Sequence, residues 1–298
     1  MYMYYSPLRY PGGKGKLASF MEYMIDQLGH RGGTYIEPFA GGAGIAMELL
    51  LRNVVSRIVI NDYDKAVWSF WKAILTETDR FVEEIRMVPL TVDEWQKQHE
   101  ILVTQNDKYS FELGFAAFYM NRTNRSGIIK GGVIGGQEQA KDWKMDVRFK
   151  REELVTRIQR IAARKKDIKL YNKDVNSFIK NYVPLYEENA LIYFDPPYFR
   201  KGQQLYMNFF NYKDHVRIEQ EIREHVNCDW IITYDYEPQI EEIYHNYNLR
   251  LYDLNYSVST KRKANELMIF KDGIFIPSDE ELNSKKINIH IRPLSLVD

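Results

Sequence analysis

Two short apolar segments, each followed by a turn and a helix, constrain the fold more than any other feature of the sequence. Residues 34–39 have the composition of a strand, a cluster of glycines follows, and residues 45–51 continue as a helix. Residues 57–60 form a second apolar segment, and a helical pattern begins at Asp64. An order of strand, helix, strand and helix is typical of a doubly wound α/β sheet.

The remaining strands of the predicted sheet lie in the second half of the chain. Apolar segments of strand length recur there at residues 168–171, 190–194, 230–233, 249–254 and 267–270. Between the two sets of strands, residues 79–164 show helical spacing and one long glycine-rich loop. We therefore predict a sheet domain formed by residues 1–76 and 166–298, with a helical insertion at residues 77–165.

The composition is that of an ordinary soluble globular protein, with 45% hydrophobic and 28% charged residues. No apolar run approaches the roughly 18 residues that a membrane span requires, and the N-terminus lacks the apolar segment of a signal peptide. The single cysteine, Cys228, excludes an internal disulfide, and the six histidines show no metal-binding spacing. We therefore expect a cytoplasmic protein that contacts no membrane and binds no metal.

Charge is balanced over the whole chain but not along it. The sequence has 41 basic and 41 acidic residues, yet residues 144–173 carry eleven Lys and Arg against four Asp and Glu. Within that segment Arg157, Arg160 and Arg164 recur at three- or four-residue steps, so one helix face could follow a DNA phosphate backbone. The alternative is a solvated helix face that binds nothing.

The glycine cluster after the first strand is a candidate site for a nucleotide-containing ligand. Residues 35–44 read Tyr-Ile-Glu-Pro-Phe-Ala-Gly-Gly-Ala-Gly, and a helix that begins there offers free backbone N–H groups. The dinucleotide fingerprint fails, because Met47 occupies the position of its third glycine. Asp62 follows the next strand, where a carboxylate can bind the hydroxyl pair of a ribose. The pattern favours a nucleoside-containing cofactor over a tight turn without a ligand.

A second glycine-rich segment lies close to the N-terminus. Residues 7–14 read Pro-Leu-Arg-Tyr-Pro-Gly-Gly-Lys, and Gly15 and Lys16 follow. A phosphate-binding P-loop would require glycine where Tyr10 stands, and serine or threonine where Leu17 stands. Phosphate binding of the P-loop type is therefore excluded.

The segment that indicates the chemistry is residues 192–198, which read Ile-Tyr-Phe-Asp-Pro-Pro-Tyr. Asp195 directly follows an apolar strand, at the end of the sheet where doubly wound folds bind ligands. A carboxylate beside the carbonyl of Pro196 could accept both hydrogens of an amino group, and Tyr198 could stack on the ring that carries it. This combination fits an extruded nucleobase. A rigid Pro-Pro turn is the alternative.

Together these motifs resemble the D12 class of N6-adenine-specific DNA methyltransferases, which includes the DNA adenine methylases. The order matches across nearly the whole chain, as P-L-x-x-x-G-G-K, E-P-F-x-G-x-G, N-D, a helical insertion and D-P-P-Y. The resemblance implies a Rossmann-like, doubly wound methyltransferase sheet with an inserted helical target-recognition domain. It further implies S-adenosylmethionine (SAM) as cofactor and methyl transfer to N6 of a flipped adenine in double-stranded DNA.

The resemblance also implies roles for individual residues. Catalytic roles fall on Asp195, Pro196 and Tyr198. Contacts to SAM fall on Tyr10, Lys14, Glu37, Phe39, Ala40, Gly42, Asp62, Asp174, Val175 and Asp195.

In the insertion, Asn121 and Arg122 begin a family element, N-R-x-x-x-x-G, and Arg125 and Lys130 lie in the loop that follows. We predict that these four residues, with Arg160 and Arg164, contact DNA. In methylases of the sequence GATC an arginine stands at the position of Lys130. Lysine lacks the planar fork that reads guanine, so GATC is disfavoured as the target sequence.

Two other functions stay open on the sequence alone, methylation of adenine in RNA and SAM-dependent DNA recognition without catalysis. The resemblance points to a bacterial or phage-encoded protein, expected as a monomer with a dimer as the alternative. Its role is open among restriction–modification, phage protection and regulation. A cognate restriction endonuclease is a partner under the first of these.

Overall fold

The computed structural model describes residues 5–9, 17–105, 107–199, 210–254 and 266–294. Tyr10 and Lys14, two of the predicted cofactor contacts, lie outside the described residues. In these ranges no helix has both the length and the apolar character needed to cross a membrane.

The first third of the chain forms the predicted alternation of helices and strands. Its elements are α1 (Ala18–Gln27), β1 (Thr34–Glu37), α2 (Gly44–Leu51), β2 (Arg57–Asn61) and α3 (Lys65–Thr76). Helix α3 begins where the sequence predicts, because the carboxylate of Asp64 accepts hydrogen bonds from the backbone N–H groups of Ala66 and Val67.

The insertion consists of helices joined by a long irregular loop. The helices are α4 (Thr78–Met87), α5 (Val92–Thr104), α6 (Phe111–Thr123) and α7 (Arg151–Ala163). Helix α6 packs closely on α3, where a Cβ at Gly114 would lie 2.5 Å from the carbonyl oxygen of Ser69. Residues of α4, α6 and α7 share one hydrophobic core with α1, α2 and α3. The insertion thus packs against the sheet domain, and its division at residues 77 and 165 stays a prediction.

The rest of the chain completes the sheet. Its elements are β3 (Ile168–Tyr171), α8 (Val175–Asn181), β4 (Ala190–Phe194), α9 (Tyr212–His225), β5 (Asp229–Asp235), α10 (Pro238–Ile243), β6 (Asn248–Leu254), β7 (Glu266–Phe270), α11 (Asp279–Ser284) and β8 (Ile289–Pro293). The predicted strands agree with these bounds to within two residues at each end.

The strands form one mixed sheet in the order β3-β2-β1-β4-β5-β7-β6-β8. Strands β3, β2, β1, β4 and β5 pair in parallel, and the later pairs are antiparallel. Successive strand residues enter different cores, Tyr35 on one face of the sheet and Ile36 on the other. The fold is therefore the predicted doubly wound, Rossmann-like α/β fold. Its strand order reverses between β1 and β4, which is where such sheets bind ligands.

Candidate active site

A cavity of about 1010 Å³ opens at the point where the strand order reverses. Glu37 ends β1, Asp62 directly follows β2, and Asp195 directly follows β4, so three strands each contribute a carboxyl group. The volume lies at the upper end of the range for small-molecule sites. The predicted cofactor-binding and catalytic residues that line it are Glu37, Phe39, Ala40, Gly42, Asp62, Asp174, Val175, Asp195 and Tyr198.

The glycine turn after β1 is held from two sides. The indole N–H of Trp71, on α3, donates to the carbonyl of Gly41 at 2.9 Å. From the N-terminal segment, the hydroxyl of Ser6 donates to the carbonyl of Gly42. Ala43 adopts a left-handed backbone with φ of 44°, and α2 begins at the next residue. The first N–H groups of a helix lack acceptors within it, so the turn presents donors at the cavity wall.

Asp62 is half-buried and fixed by the turns around it. One of its oxygens accepts from the N–H of Gly41 at 2.8 Å, and the other accepts from the N–H of Asp64 at 2.9 Å. Burial, together with the charge of Asp64, raises the pKa of Asp62 to about 7. Each carboxylate oxygen keeps accepting capacity beyond one backbone bond, so Asp62 can also accept from a pair of hydroxyls.

Glu37 is the most buried carboxyl group of the cavity wall, with 4% of its surface exposed. Its side chain accepts from the N–H of Ala46 at 3.1 Å. Burial raises the pKa of Glu37 from 4.5 to about 8, and the nearby charge of Asp195 contributes. No basic side chain in the described ranges forms an ion pair with Glu37. A cationic ligand would favour the ionised form of Glu37.

The loop that carries Asp195 is positioned by the neighbouring strand β5. The hydroxyl of Thr233 donates to an oxygen of Asp195 at 3.1 Å and lies 2.7 Å from the hydroxyl of Tyr193. Two residues further along β5, Asp235 accepts from the N–H of Phe199 at 2.9 Å. Sequence reasoning did not single out Thr233 or Asp235. A detectable signal was present, because polar residues at the carboxyl end of a strand beside β4 must face the same edge.

The two prolines after Asp195 have different surroundings. Pro197 lines the cavity together with Tyr198, whereas Pro196 is buried and does not contribute to the lining. Two further rings extend the apolar part of the cavity wall. Phe39 and Phe210 are in edge-to-face contact at a centroid distance of 6.0 Å. The predicted role of the Pro196 carbonyl as an amine acceptor stays a prediction.

The loop before α8 forms another part of the cavity wall. The side chain of Asn61 donates to the carbonyls of Pro38 and Lys173, and it accepts from the N–H of Lys173. These bonds join the ends of β1, β2 and β3. Asp174 caps α8 through the N–H groups of Asn176 and Ser177 and remains exposed at the cavity. It therefore has both a structural bond and free accepting capacity.

Tyr63 is a site residue that sequence reasoning missed. Its ring is 57% exposed although it lines the cavity. An exposed aromatic ring beside a carboxylate that is predicted to bind a ribose can stack on a base. Its position directly after Asp62 was the available signal.

Residues 10–259 match the family of D12 class N6 adenine-specific DNA methyltransferases. The chain belongs to this family. It is also 23% identical over 204 residues to the Type II methyltransferase M.MjaIII of Methanocaldococcus jannaschii, a match that covers 64% of this chain and 68% of the relative. The protein is therefore a methyltransferase, as the order of its motifs indicates.

Solved structures resemble this methyltransferase at low identity. Protein LPL1258 from Legionella pneumophila is 12% identical with a TM-score of 0.39, over 97% of this chain and 99% of the other. The rRNA methyltransferase aviRa from Streptomyces viridochromogenes is 9% identical with a TM-score of 0.36, over 85% of this chain and 82% of the other. The fold assignment accordingly rests on the strand order.

In the insertion of the methyltransferase, Asn121 and Arg122 are buried and bonded to other parts of the chain. The side chain of Asn121 accepts from the N–H of Arg9 and donates to the carbonyls of Arg9 and Gly127, each at 2.7 Å. Arg122 donates through Nε to the carbonyl of Arg148 at 2.8 Å. Both residues thus position the N-terminal segment and the loop before α7, and direct contact with DNA stays a prediction.

Arg125 and Lys130 are exposed in the loop between α6 and α7. Asn124 fixes this loop, because its side-chain amide donates to the carbonyls of Ile128 and Ile129 at 3.0 and 2.9 Å. The indole of Trp95 donates in turn to the amide oxygen of Asn124 at 2.6 Å. The loop therefore has a defined shape that presents two cations, which is compatible with the predicted base contacts.

Arg160 and Arg164 do not line the cavity. Arg164 connects the end of α7 to α2, since its guanidinium donates to the carbonyl of Leu50 at 3.0 Å and to the side chain of Asn53 at 2.8 Å. Arg160 is exposed on α7. Of the six residues predicted to contact DNA, Arg122 alone contributes to the cavity wall.

Glu37 makes the stability of the ligand-free protein depend on pH. The folded state keeps the proton of Glu37 up to about pH 8, whereas an unfolded chain loses it near 4.5. Unfolding therefore releases a proton between these values, and stability falls as the pH rises through them. We expect the loss of melting temperature between pH 6 and pH 8 to be smaller in Glu37→Gln than in the wild type. Equal losses in the two proteins would contradict the raised pKa.

Proposed function

We propose that this chain transfers a methyl group from SAM to N6 of an adenine flipped out of double-stranded DNA. Family membership supports DNA and adenine as the substrate. The observation that carries the proposal is the single cavity shared by Asp62, Glu37, Asp195 and Tyr198. A cofactor bound near Asp62 and a base bound near Asp195 would meet in one space.

The donor set of the cavity fits SAM. This cofactor carries a ribose, an ammonium group and a sulfonium, so it combines hydroxyl donors with positive charge. Asp62 offers a carboxylate for the ribose, and Glu37 and Asp195 supply negative charge for the cationic end. Tyr63 and Val175 provide an aromatic and an apolar surface for the adenine ring of the cofactor. The sulfonium supplies an activated methyl group when SAM is bound.

The residues near Asp195 suit an exocyclic amine. One carboxylate oxygen accepts from Thr233, which fixes the rotamer. A carboxylate has about four lone-pair sites, so it can accept from an amine in addition. Accepting hydrogen bonds from the amine increases the electron density on its nitrogen, and Tyr198 can stack on the ring that carries it. Orientation of the amine toward the methyl group would then supply most of the rate enhancement.

Transfer of a tritiated methyl group from SAM tests the proposal. The acceptors are unmethylated double-stranded DNA and RNA of the same sequence, and the modified nucleoside is identified after digestion. We expect N6-methyladenine in DNA. Modification of RNA alone, or binding of SAM and DNA without transfer, would contradict the proposal and favour one of the two alternative functions.

We infer a restriction–modification role from the description of the relative as a type II methyltransferase. Expression in a methylation-free host followed by sequencing of N6-methyladenine gives the target sequence directly. Methylation confined to one short sequence, and protection of that sequence from an endonuclease that cuts it, would support this role. Methylation scattered over unrelated sequences would refute it.

A further inference from the structure

Four of the residues that line the cavity are arginines from parts of the chain other than the strands. They come from the N-terminal segment, α6, the loop before α7, and α7 itself, and they are Arg9, Arg122, Arg148 and Arg157. Their charges act on one another. Burial, together with the charges of Arg9 and Arg157, lowers the pKa of Arg122 to about 9. Like charges gathered at one place cost free energy unless an anion binds there.

Three of the four guanidinium groups are bonded to the protein itself. Arg122 donates to the carbonyl of Arg148, and Arg9 donates to the carbonyl of Asn124 at 3.2 Å. Arg157 donates to the carbonyl of Ser6 at 3.1 Å and pairs with Glu153. These contacts fix the positions of the three groups within the protein.

Arg148 differs from the other three. Its side chain is exposed, and it forms no hydrogen bond or ion pair with any residue that the structure describes. Lys150, two positions later, also lines the cavity, is exposed and lacks such a partner within the described ranges. Because both residues are exposed and line the cavity, they lie at its opening. The opening thus carries two positive charges available to a ligand.

We propose that Arg148 and Lys150 bind a phosphate of the DNA strand that carries the flipped adenine. The proposal rests on the proposed function. A base that enters the cavity to reach Asp195 leaves its covalently attached phosphates at the opening, where these two cations lie. The carboxylate of SAM is the other anion that could reach the cluster. The phosphate is favoured, because the two unpaired cations are exposed to solvent, whereas the cofactor carboxylate would be enclosed with the rest of the cofactor.

The test compares the double variant Arg148→Ala/Lys150→Ala with the wild type and with Arg57→Ala. Arg57 is an exposed arginine at the amino end of β2, on the edge of the sheet opposite the cavity. Binding to a short random-sequence duplex is measured by fluorescence anisotropy between about 50 and 200 mM salt. We expect the double variant to flatten the slope of log affinity against log salt by about 0.9, because one phosphate contact is lost. The slope of Arg57→Ala should equal that of the wild type.

Calorimetric titration with SAM distinguishes the two anions. The proposal requires unchanged SAM affinity in the double variant and equal loss of affinity for duplexes of different sequence, because phosphate contacts carry no sequence information. An unchanged salt slope in the double variant overturns the proposal. If the slope is unchanged and SAM binding is weaker, the cluster binds the carboxylate of the cofactor. If the wild type methylates DNA and the slope of the double variant is unchanged, the proposed phosphate site is wrong and the proposed function stands. If the wild type neither binds nor methylates DNA, the proposed function fails as well.

Discussion

Replacing Asp195 with asparagine is expected to lower the rate of methyl transfer at saturating substrate by about 100-fold or more. The hydroxyl of Thr233 can still donate to the carbonyl oxygen of the new amide, so the loop keeps its anchor. The amide nitrogen of the new asparagine then faces the adenine amine. Both groups are hydrogen-bond donors, whereas the carboxylate oxygen of Asp195 is an acceptor. Single-turnover transfer of the tritiated methyl group measures the effect.

The matched control for this variant is Asp272→Asn, which removes a carboxylate from the exposed turn after β7. It should transfer methyl groups at the wild-type rate. Asp195→Asn should retain a melting temperature close to that of the wild type, because Thr233 still anchors the loop. Its SAM affinity is measured so that the two rates are compared at saturating SAM. Turnover within a few fold of the wild type would exclude Asp195 as the amine acceptor.

The strands of the sheet and most of the residues that line the cavity could be predicted from local sequence pattern. Strand positions were predictable because apolar residues cluster over four to seven positions and polar turn residues follow each cluster. Glu37, Asp62 and Asp195 could then be placed together without knowing any contact, because the carboxyl ends of parallel strands share one edge of a sheet. The reversal of strand order at β1 and β4 explains why these residues converge on one cavity.

The surroundings that sequence reasoning did not reveal depend on contacts between distant parts of the chain. Asn121 is predicted to contact DNA, and the structure shows that it also bonds to the backbone of Arg9, 112 residues away. Thr233 contacts Asp195 only because β5 pairs with β4. Arg148 lies in the basic segment from which the charge pattern predicted a DNA-contacting face on α7. The structure places Arg148, in the loop before that helix, on the cavity wall. Periodicity along the chain carries no information about such pairs.

Replacing Asp62 with alanine is expected to weaken SAM binding by about 10- to 100-fold, or about 1.4 to 2.8 kcal/mol, while the rate at saturating SAM changes little. Asp62 is proposed to contact the ribose, away from the reacting methyl group, so it contributes equally to ground-state and transition-state binding. Calorimetry gives the affinity, and single-turnover transfer gives the saturated rate.

The control for the Asp62 variant is Asp79→Ala, which removes an exposed carboxylate from the first turn of α4. Its SAM affinity should equal that of the wild type. Asp62 also accepts from the N–H groups of Gly41 and Asp64, so the melting temperature of Asp62→Ala without cofactor must be measured to separate a distorted turn from a lost ribose contact. A normal melting temperature with unchanged SAM affinity would remove Asp62 from the cofactor site. A large fall in the saturated rate with unchanged SAM affinity would instead assign the Asp62 carboxylate to the methyl-transfer step. Loss of a contact that is made only in the transition state lowers the saturated rate without weakening SAM binding.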